Sequence, residues 1–444
     1  MKFLIISEEG CASGLAWKLK TEGHDVYYFV KEADDKHALD GMVKKLASLK
    51  EAAKQSPDVV VIDGDLGVKD FNEQLKKNGW KVIGGSDWGN KLVNDQKFAN
   101  KVMETFQIRS PRSFTFSTLA AAQEFVTAQE NIFSFESGEY CFTPKTKTEL
   151  VQYMKRLVAM RYDGKCTLSE VVSGQDVSIE LWYSKGKPLA HPITKLDTNT
   201  LMNGDMGDCS YGQTSLAFAY PTREPKLVQE SLKRMQIFLE RIQYTGFICL
   251  YGTVKKSKFY GKYFSTSVSA STLVLLQEPL GDVLNRMANV DLTPINWGRG
   301  YGYSIKISIP ENYDEEVGHY IDVSHADLTK MIVNEMEETK EGYFTTGDEV
   351  VECVGYASNM FDAEKTAMDQ VKSVSVPCKQ ARTDGIKVAM KRIDELSRQG
   401  YEMPPFPEVI VFKPKEPFKP IEQEPVILPQ ATTIEAPRED GIPA

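Results

Sequence analysis

Three stretches of this 444-residue chain carry side chains whose types and spacing suit chemistry. Glu315, Glu316, His319, Asp322, His325 and Asp327 offer carboxylate oxygens and imidazole nitrogens of the kind that hold metal ions. Their spacing is irregular, and a solvated loop or helix end is the plainer reading. Lys255-Lys256-Ser257-Lys258-Phe259-Tyr260-Gly261-Lys262-Tyr263 interleaves cations with rings, a pattern that grips phosphate or single-stranded nucleic acid. A lysine-rich hairpin turn guarding a sheet edge is the plainer reading. Gly298-Arg299-Gly300-Tyr301-Gly302 could wrap an anion or simply lead into a strand at Tyr303–Ile309. No Gly-x-Ser-x-Gly turn is present, so a hydrolase triad has no support. Two empty stretches are as telling: Ser113 to Pro144 contains no Lys or Arg, and Arg241 to Gln277 no Asp or Glu.

The elements that would position these groups follow from hydrophobic pattern. Apolar runs at residues 2–6, 26–30, 59–62 and 81–85 alternate with helical stretches at 14–21 and, with many charges, at about 38–55. Continuous apolar strands between helices predict a parallel sheet covered on both faces, with ligands gathering at the strands' carboxyl ends near Gly10, Asp63 and Gly85. Simple turn chemistry also accounts for those three residues. Asn94–Thr105 reads as a helix with Phe98, Val102 and Phe106 on one face. Residues 110–160 read as a small α+β lobe. Two extended runs flank Ser184-Lys185-Gly186-Lys187, a helix is expected over about 225–242, and strands Gly246–Val254 and Tyr260–Val268 flank the lysine-rich turn. Beyond 401 the chain holds ten of its 21 prolines, which precludes regular helix and predicts extended or disordered chain.

Composition sets the outer bounds. The length predicts two or three domains. A net charge of −9 argues against general nucleic-acid binding. No segment approaches the roughly 20 apolar residues of a membrane span, and the N-terminus is no signal peptide. The seven scattered cysteines predict reduced thiols and a cytoplasmic setting.

The order of several motifs resembles phosphoribosylamine–glycine ligase, a purine-synthesis member of the ATP-grasp superfamily, over residues 1 to about 402. Gly84-Gly85-Ser86 followed by Asn94-Asp95-Gln96-Lys97-Phe98-Ala99 is similar to the family's glycine turn and lysine-bearing helix. Glu170-Val171-Val172-Ser173-Gly174-Gln175-Asp176-Val177-Ser178 is similar to its hinge and Gly-x-Glu-x-Ser strand. Tyr244-Thr245-Gly246 and Gln380-Ala381-Arg382-Thr383-Asp384-Gly385 are similar to its later signatures. The resemblance implies an α/β and α+β ATP-grasp fold with a Rossmann-like N-terminal domain. The expected parts are 1–108 (Rossmann-like), 109–168 (small lobe), 169–300 (main lobe), 301–402 (C-terminal α+β segment) and 403–444 (Pro-rich tail). It also implies ATP and Mg²⁺ as cofactors, with Lys97 at the phosphates, Glu170 at adenine and Asp176 at the ribose. Gly10, Asp205, Gly207, Gly212, Arg382 and Asp384 fall in the implied substrate loops.

Departures accompany the resemblance. The family's second lysine and glycine-rich flap correspond to Phe133-Ser134-Phe135-Glu136-Ser137-Gly138, with Glu139 following. A glutamate 4 Å from phosphate costs about 4 kcal/mol at an effective dielectric near 20. The metal strand, Glu-Phe-Asn-x-Arg in the family, reads Tyr263-Phe264-Ser265-Thr266-Ser267, and hard cations need anionic oxygens. The substrate turn reads Gly207-Asp208-Cys209-Ser210-Tyr211-Gly212, and its upstream His-Lys-Arg reads Thr198-Asn199-Thr200. Three losses together predict a catalytically impaired relative, a pseudoenzyme acting as a binding or assembly protein. The alternative is an active carboxylate–amine ligase drawing metal ligands from Asp205, Asp208 or Glu170. A third expectation makes 404–444 a strap to a protein partner.

Overall fold

The computed structural model describes residues 1–405 apart from 33–35, 53, 69–70, 139, 163 and 311–316. The side chains of residues 141, 208, 209 and 211 are also outside the described set. The tail from residue 406 on therefore lies outside the described residues.

The N-terminal elements are β1 (Lys2–Ser7), α1 (Ser13–Thr21), β2 (Asp25–Val30), β3 (Lys44–Lys45), α2 (Leu49–Ala52), β4 (Val59–Asp63), α3 (Phe71–Lys77) and β5 (Val82–Gly84). The strands form a parallel sheet in the order β3-β2-β1-β4-β5. Phe3, Ile5, Val59 and Val61 face one core while Leu4, Ile6, Val60 and Ile62 face another, which is why these strands are apolar throughout. The strand order reverses between β1 and β4, so a crevice opens at their carboxyl ends, beside Gly10 and Asp63.

Of the helix expected over about 38–55, only the short α2 (Leu49–Ala52) forms among the described residues. Leu39 and Gly41 have φ of 63° and 75°, outside the helical region. The Leu39 N–H donates to the Met336 carbonyl and the Glu338 N–H to that of Asp40. Contacts made some 300 residues away along the chain thus override local helix propensity.

Next come α4 (Asp87–Asn94) and α5 (Gln96–Thr105), parted at Asp95, whose carboxylate caps α5 by accepting from the Phe98 N–H at 3.0 Å. The small lobe comprises β6 (Ser113–Phe116), α6 (Leu119–Ala128), β7 (Phe133–Ser137), β8 (Tyr140–Phe142), α7 (Lys147–Ala159) and β9 (Cys166–Glu170). Its four-stranded sheet, in the order β6-β9-β7-β8, packs its own core around Phe133, Phe135, Leu150, Met154 and Leu168.

The central sheet follows, with β10 (Gln175–Ser184), β11 (Lys187–Pro188), β12 (Ile193–Met202), β13 (Met206–Ala219), α8 (Lys226–Gln229), α9 (Gln236–Arg241), β14 (Gly246–Lys255), β15 (Lys258–Ser265), α10 (Ala270–Leu275) and α11 (Leu280–Ala288). The single helix expected over about 225–242 is two short ones. The Ser231 hydroxyl donates to the Leu227 carbonyl, and the Lys233 N–H reaches back five residues to that of Val228, so the ladder breaks between them. β15 ends at Ser265, short of the expected Val268.

The remaining elements are β16 (Tyr301–Ser308), β17 (Tyr320–Ile321), β18 (Ile332–Val333), β19 (Met336–Thr339), β20 (Gly342–Thr345), β21 (Glu349–Ala357), α12 (Met360–Ser373) and α13 (Gly385–Arg398). β16, β21 and β18 extend the central sheet, whose order is β15-β14-β10-β12-β13-β16-β21-β18, with β11 on β10. β17, β20 and β19 form a separate three-stranded sheet. No helix among the described residues is long and apolar enough to cross a membrane.

Candidate functional site

Period-two alternation along β10 and β12 puts Asp176, Ser178 and Glu180 on one face beside Lys195, Asp197 and Asn199. Register aligns them: Ser178 pairs with Lys195 on one side and Tyr251 on the other, and Tyr251 pairs with Tyr263. One row over, Glu180 pairs with Cys249, and Cys249 with Ser265. Asp176, Ser178, Lys195, Asp197, Tyr251 and Lys262 line a cavity of about 70 Å³ on this face.

The ionic groups here are already matched. Lys195, 1% exposed, lies 2.9 Å from Glu180, which is wholly buried. Glu180 also accepts from the Trp182 indole N–H at 2.8 Å and the Thr272 hydroxyl at 3.2 Å. Burial opposes the charged form of Lys195, but Cys249, Glu180, Tyr251 and Asp197 around it hold the ammonium well above its ordinary value. At the rim, Lys262 donates to Asp176 at 2.9 Å and the Thr253 hydroxyl donates to the same oxygen. Burial works against ionisation of Asp176, and Lys262 and Thr253 outweigh it, so the carboxyl is held below the usual range. Tyr251 and Tyr263 stack with centroids 4.7 Å apart. Burial pushes the Cys249 thiol up to about 12, so it is no nucleophile.

The residues expected at a nucleotide are distributed as follows. Lys97 is exposed on α5, whose first residue, Gln96, donates its side-chain amide to the Lys262 carbonyl at 2.8 Å. Glu170, at the end of β9, accepts from Arg112 at 3.0 Å and Asn131 at 2.9 Å, so both its oxygens are engaged within the small lobe. Of the two candidates for the missing lysine's place, Phe135 is buried in the lobe core and Glu136 is the exposed residue. Asp208 has its side chain outside the described set.

Three expected substrate-loop residues do come together. Arg382 is fully buried and donates to both oxygens of Asp384, at 2.9 and 3.0 Å, to Asp205 at 3.0 Å and to the Thr200 hydroxyl at 2.7 Å. Asp384 accepts the Gly204 N–H at 2.8 Å, which completes a clamp on the β12–β13 hairpin. Asp205, Gly207 and Gly212 take positive φ in that hairpin, at 56°, 80° and 70°. Gly10 belongs to another cluster: its carbonyl accepts from the Ser13 and Tyr28 hydroxyls. Beside it, Asp63 accepts from Ser7 and from Ser267. Burial raises the Asp63 carboxyl, with Ser267 and Ser7 opposing.

Among the described residues, the carboxylates and imidazoles of 315–327 do not converge on a metal site, in keeping with the plainer loop reading. Asp322 and Asp327 accept the N–H groups of Ser324 and Thr329 in local turns, and Glu315 and Glu316 lie outside the described residues. Among the described residues, the ligand atoms of His37, Asp40 and Glu337 converge within 4.8 Å, away from this sheet face, a grouping that sequence spacing conceals. The lysine-rich stretch is a hairpin turn at Lys256-Ser257. Sequence reasoning missed Lys195, Glu180 and Asp197. The available signal was polar residues at every second position inside otherwise buried strands.

Three solved structures share this fold. Phosphoribosylamine–glycine ligase from Thermotoga maritima superposes with a TM-score of 0.68 at 17% identity, covering 86% of this chain and 100% of its own. This chain has the ATP-grasp ligase fold. Biotin carboxylase from Campylobacter jejuni, solved as a β,γ-ATP complex, gives 0.57 at 12% identity over 90% of this chain and 97% of that one. Phosphoribosylglycinamide synthetase from Anaerococcus prevotii gives 0.55 at 10% identity over 84% and 98%. No protein-family profile and no curated protein matches the sequence. The ATP-grasp fold thus stands on three-dimensional similarity and not on sequence.

Proposed function

We propose that this protein keeps the ATP-grasp scaffold without its ligation chemistry and serves as a binding or assembly protein. The observation that carries this reading is the stacked Tyr251–Tyr263 pair. By resemblance, Tyr263 stands where the metal carboxylate of phosphoribosylamine–glycine ligase belongs. A phenol with its ring stacked is a poor ligand for a hard divalent ion. The other ionic groups support the same reading, because Asp176, Glu170 and Glu180 each already hold a cation or donor of the chain itself. ATP binding is then weak at best and independent of Mg²⁺.

Calorimetric titration of the full chain with ATP, with and without Mg²⁺, tests this. The expected result is no Mg²⁺-dependent heat. Tight Mg²⁺-dependent binding would overturn it and favour a carboxylate–amine ligase with relocated metal ligands. That reading has less support, since Asp205 and Glu170 are bound to Arg382 and Arg112.

A cytoplasmic setting accords with the free thiols of Cys166, Cys249 and Cys353. We also propose that the Pro-rich segment 404–444 engages a protein partner. Extended proline-rich chain is a common ligand for aromatic grooves. Comparative pull-downs of the full chain and a chain ending at 403 test it, with loss of a partner expected in the shorter one.

A further inference from the structure

The inference deepens the reading above and rests on it. We propose that Lys195 is a built-in counter-cation, standing where a divalent metal would otherwise sit among the oxygens of this sheet face, and that it determines that the protein takes no metal there.

Ser265, implied by resemblance as a metal-ligand position, pairs with Cys249, and Cys249 with Glu180. Glu180 is therefore two strands away, about 10 Å at the usual strand spacing. The adjacent row runs Tyr263, Tyr251, Ser178, Lys195. Lys195 thus reaches from the far side of the same face, with Nζ 2.9 Å from Glu180 and 3.3 Å from the Tyr251 hydroxyl.

The oxygens around it form the kind of set that hard cations select. Glu180 and Asp197 supply carboxylates, and Ser178 and Tyr251 supply hydroxyls. Asp197 Oδ1 is buried with no hydrogen-bond partner among the described residues, Ser178 Oγ is buried beside the Cys249 thiol, and both residues line the same cavity of about 70 Å³. Lys195 lies within ion-pair distance of Glu180, and Asp197 adds to the negative field around it. Without the ammonium, Glu180 would be a wholly buried carboxylate with no cation, a state that proteins avoid by pairing or by metal binding, and the partly exposed Asp197 would face the same space with one buried oxygen. Oxygen ligands of this kind suit Mg²⁺ or Mn²⁺.

Mn²⁺ binding without nucleotide, measured on the full-length protein, tests the proposal. Lys195→Ser should gain at least tenfold in Mn²⁺ affinity over the parent, about 1.4 kcal/mol. The added substitution Glu180→Gln should abolish the gain. A folded Lys195→Ser chain that binds Mn²⁺ no better than the parent overturns the proposal. The parent protein gives an arm that needs no variant: Mn²⁺ should leave the amides of residues 178, 195 and 251 unbroadened in its NMR spectrum, and broadening there also overturns it. Neither arm contains ATP, so failure here is distinguishable from failure of the ATP titration.

Discussion

Arg382 offers the sharpest test of how this scaffold is used, because the two roles open to it predict opposite results. If it received a substrate anion, its removal would weaken ligand binding and leave the free protein stable. In the structure it is fully buried and spends its donors on Asp384, Asp205 and Thr200. Arg382→Met keeps the apolar stem and removes the guanidinium. Asp384, with a side chain 19% exposed, would then lose both bonds of a bidentate pair. Breaking a buried pair from one side costs about 3–5 kcal/mol. The Asp205 contact adds little, because that carboxylate is 60% exposed and screened. We expect a destabilisation of about 3–5 kcal/mol in urea unfolding. Amide exchange should rise across residues 200–206, which the clamp holds. Adding Asp384→Asn should recover part of the loss, because the stranded charge goes with it. A change under about 1 kcal/mol with unaltered hairpin exchange would refute the clamp, since a lost buried pair cannot be that cheap.

Other outcomes follow from single positions. Burial pushes the Lys45 ammonium down to about 8, so the unfolded chain binds more protons between about pH 8 and 10.5 and stability should rise across that window. Lys45→Met should flatten the rise in urea midpoints. Gly41→Ala should cost at least about 2 kcal/mol in thermal unfolding, because φ is positive and the new methyl would run into the Glu338 carbonyl oxygen. Asp384 is held low because Arg382 and the Gly204 N–H outweigh the opposing effect of burial. Its contribution is present above the ordinary carboxylate range and lost as pH falls through its lowered value, so Asp384→Asn should shrink the acid-induced loss of stability.

Much of the fold was legible because it depends on local pattern. The apolar runs of β1, β2, β4 and β5 could belong only to strands covered on both faces, and both faces are covered. The small lobe likewise declared itself through its mix of short strands and helices over 110–160. The absence of carboxylates from 241 to 277 needed no alignment at all. The failures have an equally definite cause. The charged stretch at 38–55 has helical composition, but backbone bonds to Met336 and Glu338 draw its first part into turns and leave only the short α2 helical. The grouping of Arg382, Asp205 and Asp384 was implied by resemblance, whereas their saturation of one another was visible only in space.

The sequence by itself determined the parallel N-terminal sheet, the α+β lobe and the loss of the expected charges, since each is a property of residue type and period. Tertiary structure decided what stands in place of the lost chemistry. Lys195 and Glu180 lie 15 positions apart on separate strands, and nothing local couples them. Antiparallel register sets Lys195 across from Ser178 and diagonal to Glu180, and a slip of one residue would turn the lysine to the opposite face.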